Sequence, residues 1–167
     1  MSYITDNKQK FDDLSIQIKN KDQVKKRANG GNSILFSFNP NEEHLYIKKA
    51  MELYKEKASF IDISKLFVKF IEEDGWDSFK EYYFDFQDTP HLIFKSEDSS
   101  VDLFDMVIRE IEIACESEKI PFLVRTGCLF GTGIENVNIM EHKTVMNLPY
   151  PLVIFYPSRI EDDSLYF

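Results

Sequence analysis

Cysteine is scarce: Cys115 and Cys128 are the only two in 167 residues. Small secreted domains stapled by disulfides carry more, so the pair reads as reduced thiols in a cytoplasmic protein. No run approaches 18 apolar residues, so no membrane span is expected. The opening MSYITDNKQK lacks the apolar stretch of a secretory signal. Glycine and proline number six each, and no internal repeat or low-complexity segment occurs. His44, His91 and His142 lie far apart, and no spacing resembles a zinc site, so no metal and no cofactor is expected. Basic charge is also short. The net charge is −9, which works against gripping nucleic acid through its phosphates.

What is present is an ordinary globular composition, 43% hydrophobic and 29% charged. A chain of this length fits one domain and buries roughly 70% of its unfolded surface. Aromatics make up 14%, including fifteen Phe and eight Tyr. Such residues serve cores and interfaces alike. The charge is uneven. Residues 1–32 hold seven basic and four acidic side chains, a net of +3, which leaves −12 on the rest. The Lys25–Arg27 run reads as a solvated helix end, with DNA contact the lesser reading.

Phe11, Leu14 and Ile18 recur at helical spacing, so residues 7–19 read as a helix. The Gly30-Gly31 turn follows, and residues 1–32 read as a helical arm on a single α/β domain spanning 33–167. In that domain, Ser33–Phe38, Ser59–Ile63, Phe122–Val124 and Pro151–Tyr156 read as apolar strands, as expected for strands covered on both faces. Between the first two lies a helix with Leu45, Ile47, Ala50, Met51 and Tyr54 on its apolar face and Asn41 as its cap. Ser64 reads as the cap of the next helix, which carries Leu66, Phe67, Phe70 and Ile71. Ser99 to Lys119 reads as the clearest helix, with Val101, Phe104, Val107, Ile108, Ile111, Ala114 and Cys115 at helical spacing and Ser99 with Asp102 in the manner of a capping box. Another helix is expected near Asn136–Leu148. His91–Phe94 reads as a short strand or extended connection. Strands alternating with helices imply a three-layer α/β domain, with a mostly parallel sheet of four or five strands and helices on both faces.

No catalytic constellation stands out. Gly127-Cys-Leu-Phe-Gly-Thr-Gly133 sits between a strand and a helix, where phosphate loops sit. It matches neither phosphate-loop pattern, and no Lys follows its last glycine. Its glycines read as serving a tight turn. Cys128 reads as a small apolar filler rather than a nucleophile. Asp62 and Arg125 end two strands. With Thr126 and Gly127 they form a candidate crevice, because ligands of open parallel sheets bind at the carboxyl ends of strands; the plainer reading of Asp62 and Arg125 is a structural ion pair. The stretch 72–88 interleaves aromatics with acids. Its density exceeds what one helix face can bury, so Trp76, Tyr82 and Tyr83 are candidate anchors for a protein partner.

Several segments carry a family resemblance. Phe122-Leu-Val-Arg-Thr-Gly-Cys-Leu-Phe130, the Met146-Asn147-Leu148 helix end, and Pro151-Leu-Val-Ile-Phe-Tyr-Pro157 resemble BrxB-like proteins of bacterial BREX phage-exclusion systems. Phe36-Ser-Phe-Asn-Pro40, Ile61-Asp-Ile-Ser64 and Ser164–Phe167 are similar to further strands of that family. The loop 130–138 departs from the pattern in being richer in Gly and Asn. The resemblance implies a non-catalytic component of phage defence acting beside larger proteins: an alkaline-phosphatase-like protein, an ATPase and a DNA methyltransferase. The reading from the residues is therefore an adaptor that binds a protein. The alternative is a nucleotide-responsive or hydrolytic enzyme using the crevice.

Overall fold

The computed structural model describes residues 3–27, 31–96, 101–161 and 164–166. Two helices, α1 (Tyr3–Lys19) and α2 (Lys21–Arg27), lead into β1 (Ser33–Phe38), α3 (Glu43–Tyr54) and β2 (Ala58–Asp62). Four helices follow: α4 (Ile63–Asp74), α5 (Trp76–Asp85), α6 (His91–Phe94) and α7 (Leu103–Glu116). The chain continues through β3 (Ile120–Val124), α8 (Asn136–Met140), α9 (Lys143–Asn147) and β4 (Leu152–Pro157). It ends in a separate antiparallel hairpin, β5 (Arg159–Glu161) and β6 (Ser164–Tyr166). The strand Ser164–Tyr166 is thus part of this hairpin, not of the main sheet; Phe167 lies outside the described residues.

Strands β1 to β4 form one all-parallel sheet in the order β1-β4-β3-β2. The expected α/β class therefore holds. The order decides which face each helix covers. The chain first jumps from one edge of the sheet to the other, then steps back one strand at a time. Crossovers keep one hand, so a reversal of direction moves the connection to the opposite face. Accordingly α3 packs on one face, and α4, α7, α8 and α9 supply the other.

The two faces have different chemistry. The α3 face is aromatic: Phe36, Phe38, Tyr46, Phe122 and Phe155 are all buried there. Phe38 stacks on Tyr46 at 5.1 Å, and Phe36 meets Phe155 at 5.0 Å. Helix α1 belongs to this layer. Phe11 and Leu14 are buried in it, with Phe11 4.9 Å from Phe36, so the segment expected as an arm supplies core. The opposite face is aliphatic, with Ile63, Leu103, Val107, Ile111, Leu123, Ile139, Val145, Leu152 and Ile154 buried.

Local differences from the sequence reading have simple causes. His91–Phe94 is a helical turn begun by Pro90, whose φ of −61° suits a helix start. Helix α4 is capped by Asp62, whose carboxylate accepts from the Ser64 N–H, and not by Ser64. Before α3, Asn39 rather than Asn41 supplies the capping oxygen, for a short 3₁₀ turn. Tyr46 takes the buried place expected of Met51, which is exposed. Asp102 is itself the cap of α7, accepting from the Asp105 N–H at 2.8 Å; Ser99 lies outside the described residues. The expected helix at Asn136–Leu148 is broken in two near His142. The turn expected at Gly30-Gly31 falls partly outside the described residues. Asn32, next to it, is buried and donates its amide to the carbonyls of Val145, Leu148 and Tyr150. That ties the start of β1 to the approach to β4.

Candidate functional site

The ends of β2 and β3 bring Asp62 and Arg125 together, with Arg125 Nε 3.2 Å from Asp62 Oδ2. Asp62 is heavily committed. Its other oxygen accepts from the Ser64 N–H and, at 2.6 Å, from the Ser64 hydroxyl. Arg125 adopts the left-handed conformation with φ 59°, which costs a non-glycine residue about 1 kcal/mol. Its side chain is half exposed, and an exposed pair of this kind contributes about 0–1 kcal/mol. Thr126 is buried and donates its hydroxyl to the Phe155 carbonyl at 2.7 Å, locking the turn after β3 onto β4. Gly127, the fourth crevice residue, accepts at its carbonyl from the Phe130 N–H.

Glu43, at the start of α3, completes this cluster and was not singled out in the sequence. Burial raises its carboxyl above the ordinary glutamate range, against the opposing pull of Arg125. Its Oε1 is buried without a hydrogen-bond partner among the described residues. In sequence, Glu43 is one more acid at a helix start, and its approach to Arg125 depends on the crossover. Cys128 is exposed rather than a core filler. Burial of its sulfur, with the charges of Asp62 and Glu43, nonetheless pushes the thiol above its ordinary pKa. A thiol that resists ionisation at neutral pH is a poor nucleophile. The cluster therefore holds charge in place without an activated attacking group.

The Gly127–Gly133 loop spends several of its backbone donors on itself. The N–H groups of Cys128, Phe130 and Thr132 donate to the carbonyls of Arg125, Gly127 and Leu129. The Ile134 N–H donates to the buried Thr132 hydroxyl, which in turn donates to the Leu129 carbonyl at 2.7 Å. A phosphate cradle needs such N–H groups aimed outward. Gly131 and Gly133 take positive φ, and a Cβ on Gly133 would run into His91 of α6. Glycine here serves the turn and a close approach.

The stretch 72–88 lies mostly on α5, which buries none of its residues. Trp76 is 63% exposed, Tyr82 46% and Tyr83 38%. Phe84 is exposed with them. Phe79 faces inward, near Phe70 and Phe94, and holds the helix to the domain. Glu72, Glu73, Asp74, Asp77, Glu81, Asp85 and Asp88 surround these rings and are all exposed.

His142 packs edge-on against Phe104, and His91 abuts Gly133. Among the described residues no group of three or more His, Cys, Asp or Glu is placed to hold a metal, and no helix is long and apolar enough to cross a membrane. In the basic leading segment, Lys21 donates to the Pro149 carbonyl at 2.8 Å, so this charge helps to dock α2 onto the domain. None of the known protein families, curated proteins or solved structures compared with the chain matches it.

Proposed function

We propose that this protein is an adaptor that binds a larger protein through α5. The observation that supports the reading is the exposure of Trp76, Tyr82, Tyr83 and Phe84 on a helix with no fully buried residue. Exposed aromatic surface is costly to keep in water and marks interaction sites. Trp and Tyr dominate binding energy because they desolvate a large area and keep a polar group. The resemblance to BrxB-like proteins supports bacterial phage defence as the setting, with an alkaline-phosphatase-like protein or an ATPase as the partner. The test is affinity capture with wild type and with Trp76→Ala/Tyr82→Ala/Tyr83→Ala. The same partner should be retained by the first and lost by the second, at similar melting temperatures. Equal retention would reject α5 as the binding surface.

The enzyme reading draws on the Glu43–Asp62–Arg125 cluster at the strand ends. It is weaker because Asp62 is tied to Ser64 and Arg125, and because the neighbouring thiol resists ionisation. Calorimetry with ATP, GTP and divalent metals separates the two. Micromolar binding, or turnover abolished by Arg125→Ala, would favour the enzyme.

A further inference from the structure

We propose that a pocket between β1 and the segment 126–140 binds a small, uncharged, mainly hydrocarbon molecule. The sheet order creates this pocket. Strand β1 is an edge strand, and Ile34, Phe36 and Phe38 point into the aromatic layer. Leu35 therefore points to the opposite face, where the helices cover β3 and β4 but leave Leu35 43% exposed. A space of about 640 Å³ opens there, within the size range of small-molecule sites, roughly 300–1,000 Å³. Leu35 and Tyr156 form one wall; Val137 and Met140 stand on the other. Phe130, which also lines the pocket, is 90% exposed. A ring so placed is poorly accommodated by water and gains from a ligand that covers it.

The lining fixes the ligand's chemistry. Among the described residues it contains no Lys, Arg or His, and Glu135 is its only carboxylate. The N–H groups of Cys128, Phe130, Thr132 and Ile134 are already taken within the turn. An anion would thus meet a like charge and no cationic side chain. Small molecules fit better than an added peptide strand. Even-numbered carbonyls of β1 bond to β4, so the Ser37 carbonyl faces the open edge, where Lys10 already donates to it at 3.1 Å. The pocket shares no lining residue with α5.

Two dyes with one framework test this. N-phenyl-1-naphthylamine is neutral and has one N–H; 8-anilinonaphthalene-1-sulfonate adds an anionic group. The neutral dye should bind saturably with enhanced fluorescence, and the sulfonate should bind at least about tenfold more weakly. Leu35→Glu and Val137→Glu, both at half-exposed positions, should each abolish binding while thermal melts show a folded protein. Using both keeps the test valid if one variant fails to fold. Absent saturable binding, equal or tighter sulfonate binding, or unchanged binding in folded Leu35→Glu and Val137→Glu would each overturn the proposal. So would dye binding abolished instead by Trp76→Ala, which would place the dye on α5.

Discussion

Helices α7 and α5 are both rich in large apolar side chains, yet they use them in opposite ways. Helix α7 buries Leu103, Met106, Val107, Ile108, Ile111, Ala114 and Cys115 against β2, β3 and α4. Helix α5 has five aromatics in ten residues and buries none. Spacing explains the difference. On α7 the apolar residues recur every three or four positions and form a single stripe. On α5, at 100° per residue, Trp76 and Tyr82 lie about 60° to either side of Phe79 and Phe84 about 140° from it, so the rings spread around the helix instead of forming one stripe. Only one face can meet the domain, and Phe79 occupies it. Apolar content alone is therefore a poor guide to burial; phase relative to the neighbouring element decides.

The sharpest way to break this comparison is to truncate matched positions. Ile111 is fully buried on α7, and Ile111→Ala should cost about 2–5 kcal/mol through lost burial and a residual cavity. Urea unfolding measures this directly. A cost below about 1 kcal/mol would mean that α7 is less central than its burial indicates.

Next in size is the cap of α7. Asp102 is buried and accepts from the N–H groups of Asp105 and Ser96. Asp102→Ala should cost about 0.5–2 kcal/mol. The cost should depend on pH. Burial raises the Asp102 carboxyl above its ordinary pKa, outweighing those hydrogen bonds. The fold then holds this proton more tightly than the unfolded chain does. Its contribution is complete below the ordinary aspartate range and declines as pH rises through the raised value. The stability gap between wild type and Asp102→Ala should thus be wider near about pH 3 than near about pH 7. Denaturant unfolding at both values checks the sign, and a gap that widens toward neutrality would contradict it.

Legibility in the sequence follows the same division. The strands and α7 were readable because period and burial agree there: Val107, Ile108, Ile111, Ala114 and Cys115 are all buried. Val101, counted on the same stripe, precedes the cap and is exposed. His91–Phe94 misled because a four-residue segment is too short to show a period. The Asp62–Arg125 pair was readable, since both residues end parallel strands. Glu43 and the pocket were not. Glu43 joins the cluster through a crossover spanning the whole sheet, and the pocket joins Leu35 to residues about a hundred positions later. Strand order controls both, and local pattern does not encode it.

The smallest expected effect on stability is also the most informative. Trp76→Ala, Tyr82→Ala and Tyr83→Ala should each change stability by no more than about 0.5 kcal/mol, because all three rings are exposed. For a domain of this size that is a melting shift of about 1–2 °C. Tyr82 contacts Phe86 at 4.8 Å and Trp76 stacks on Phe79 at 6.3 Å. These contacts lie at the surface and contribute little beyond local order. If α5 is the binding surface, the same substitutions should weaken partner binding by about 2 kcal/mol or more. The acids around the rings add a second signature. Seven carboxylates against one lysine, Lys80, between residues 72 and 88 should steer a basic partner patch, so association should slow as salt rises. Charge reversal at the rim, such as Glu81→Lys with Asp85→Lys, should lower the association rate and flatten its salt dependence, leaving dissociation nearly unchanged. Surface plasmon resonance at several ionic strengths separates the two contributions. Aromatic truncation should act on dissociation and charge reversal on association. If the alanine variants unfold instead, α5 carries stability as α7 does, and the contrast between the two helices fails.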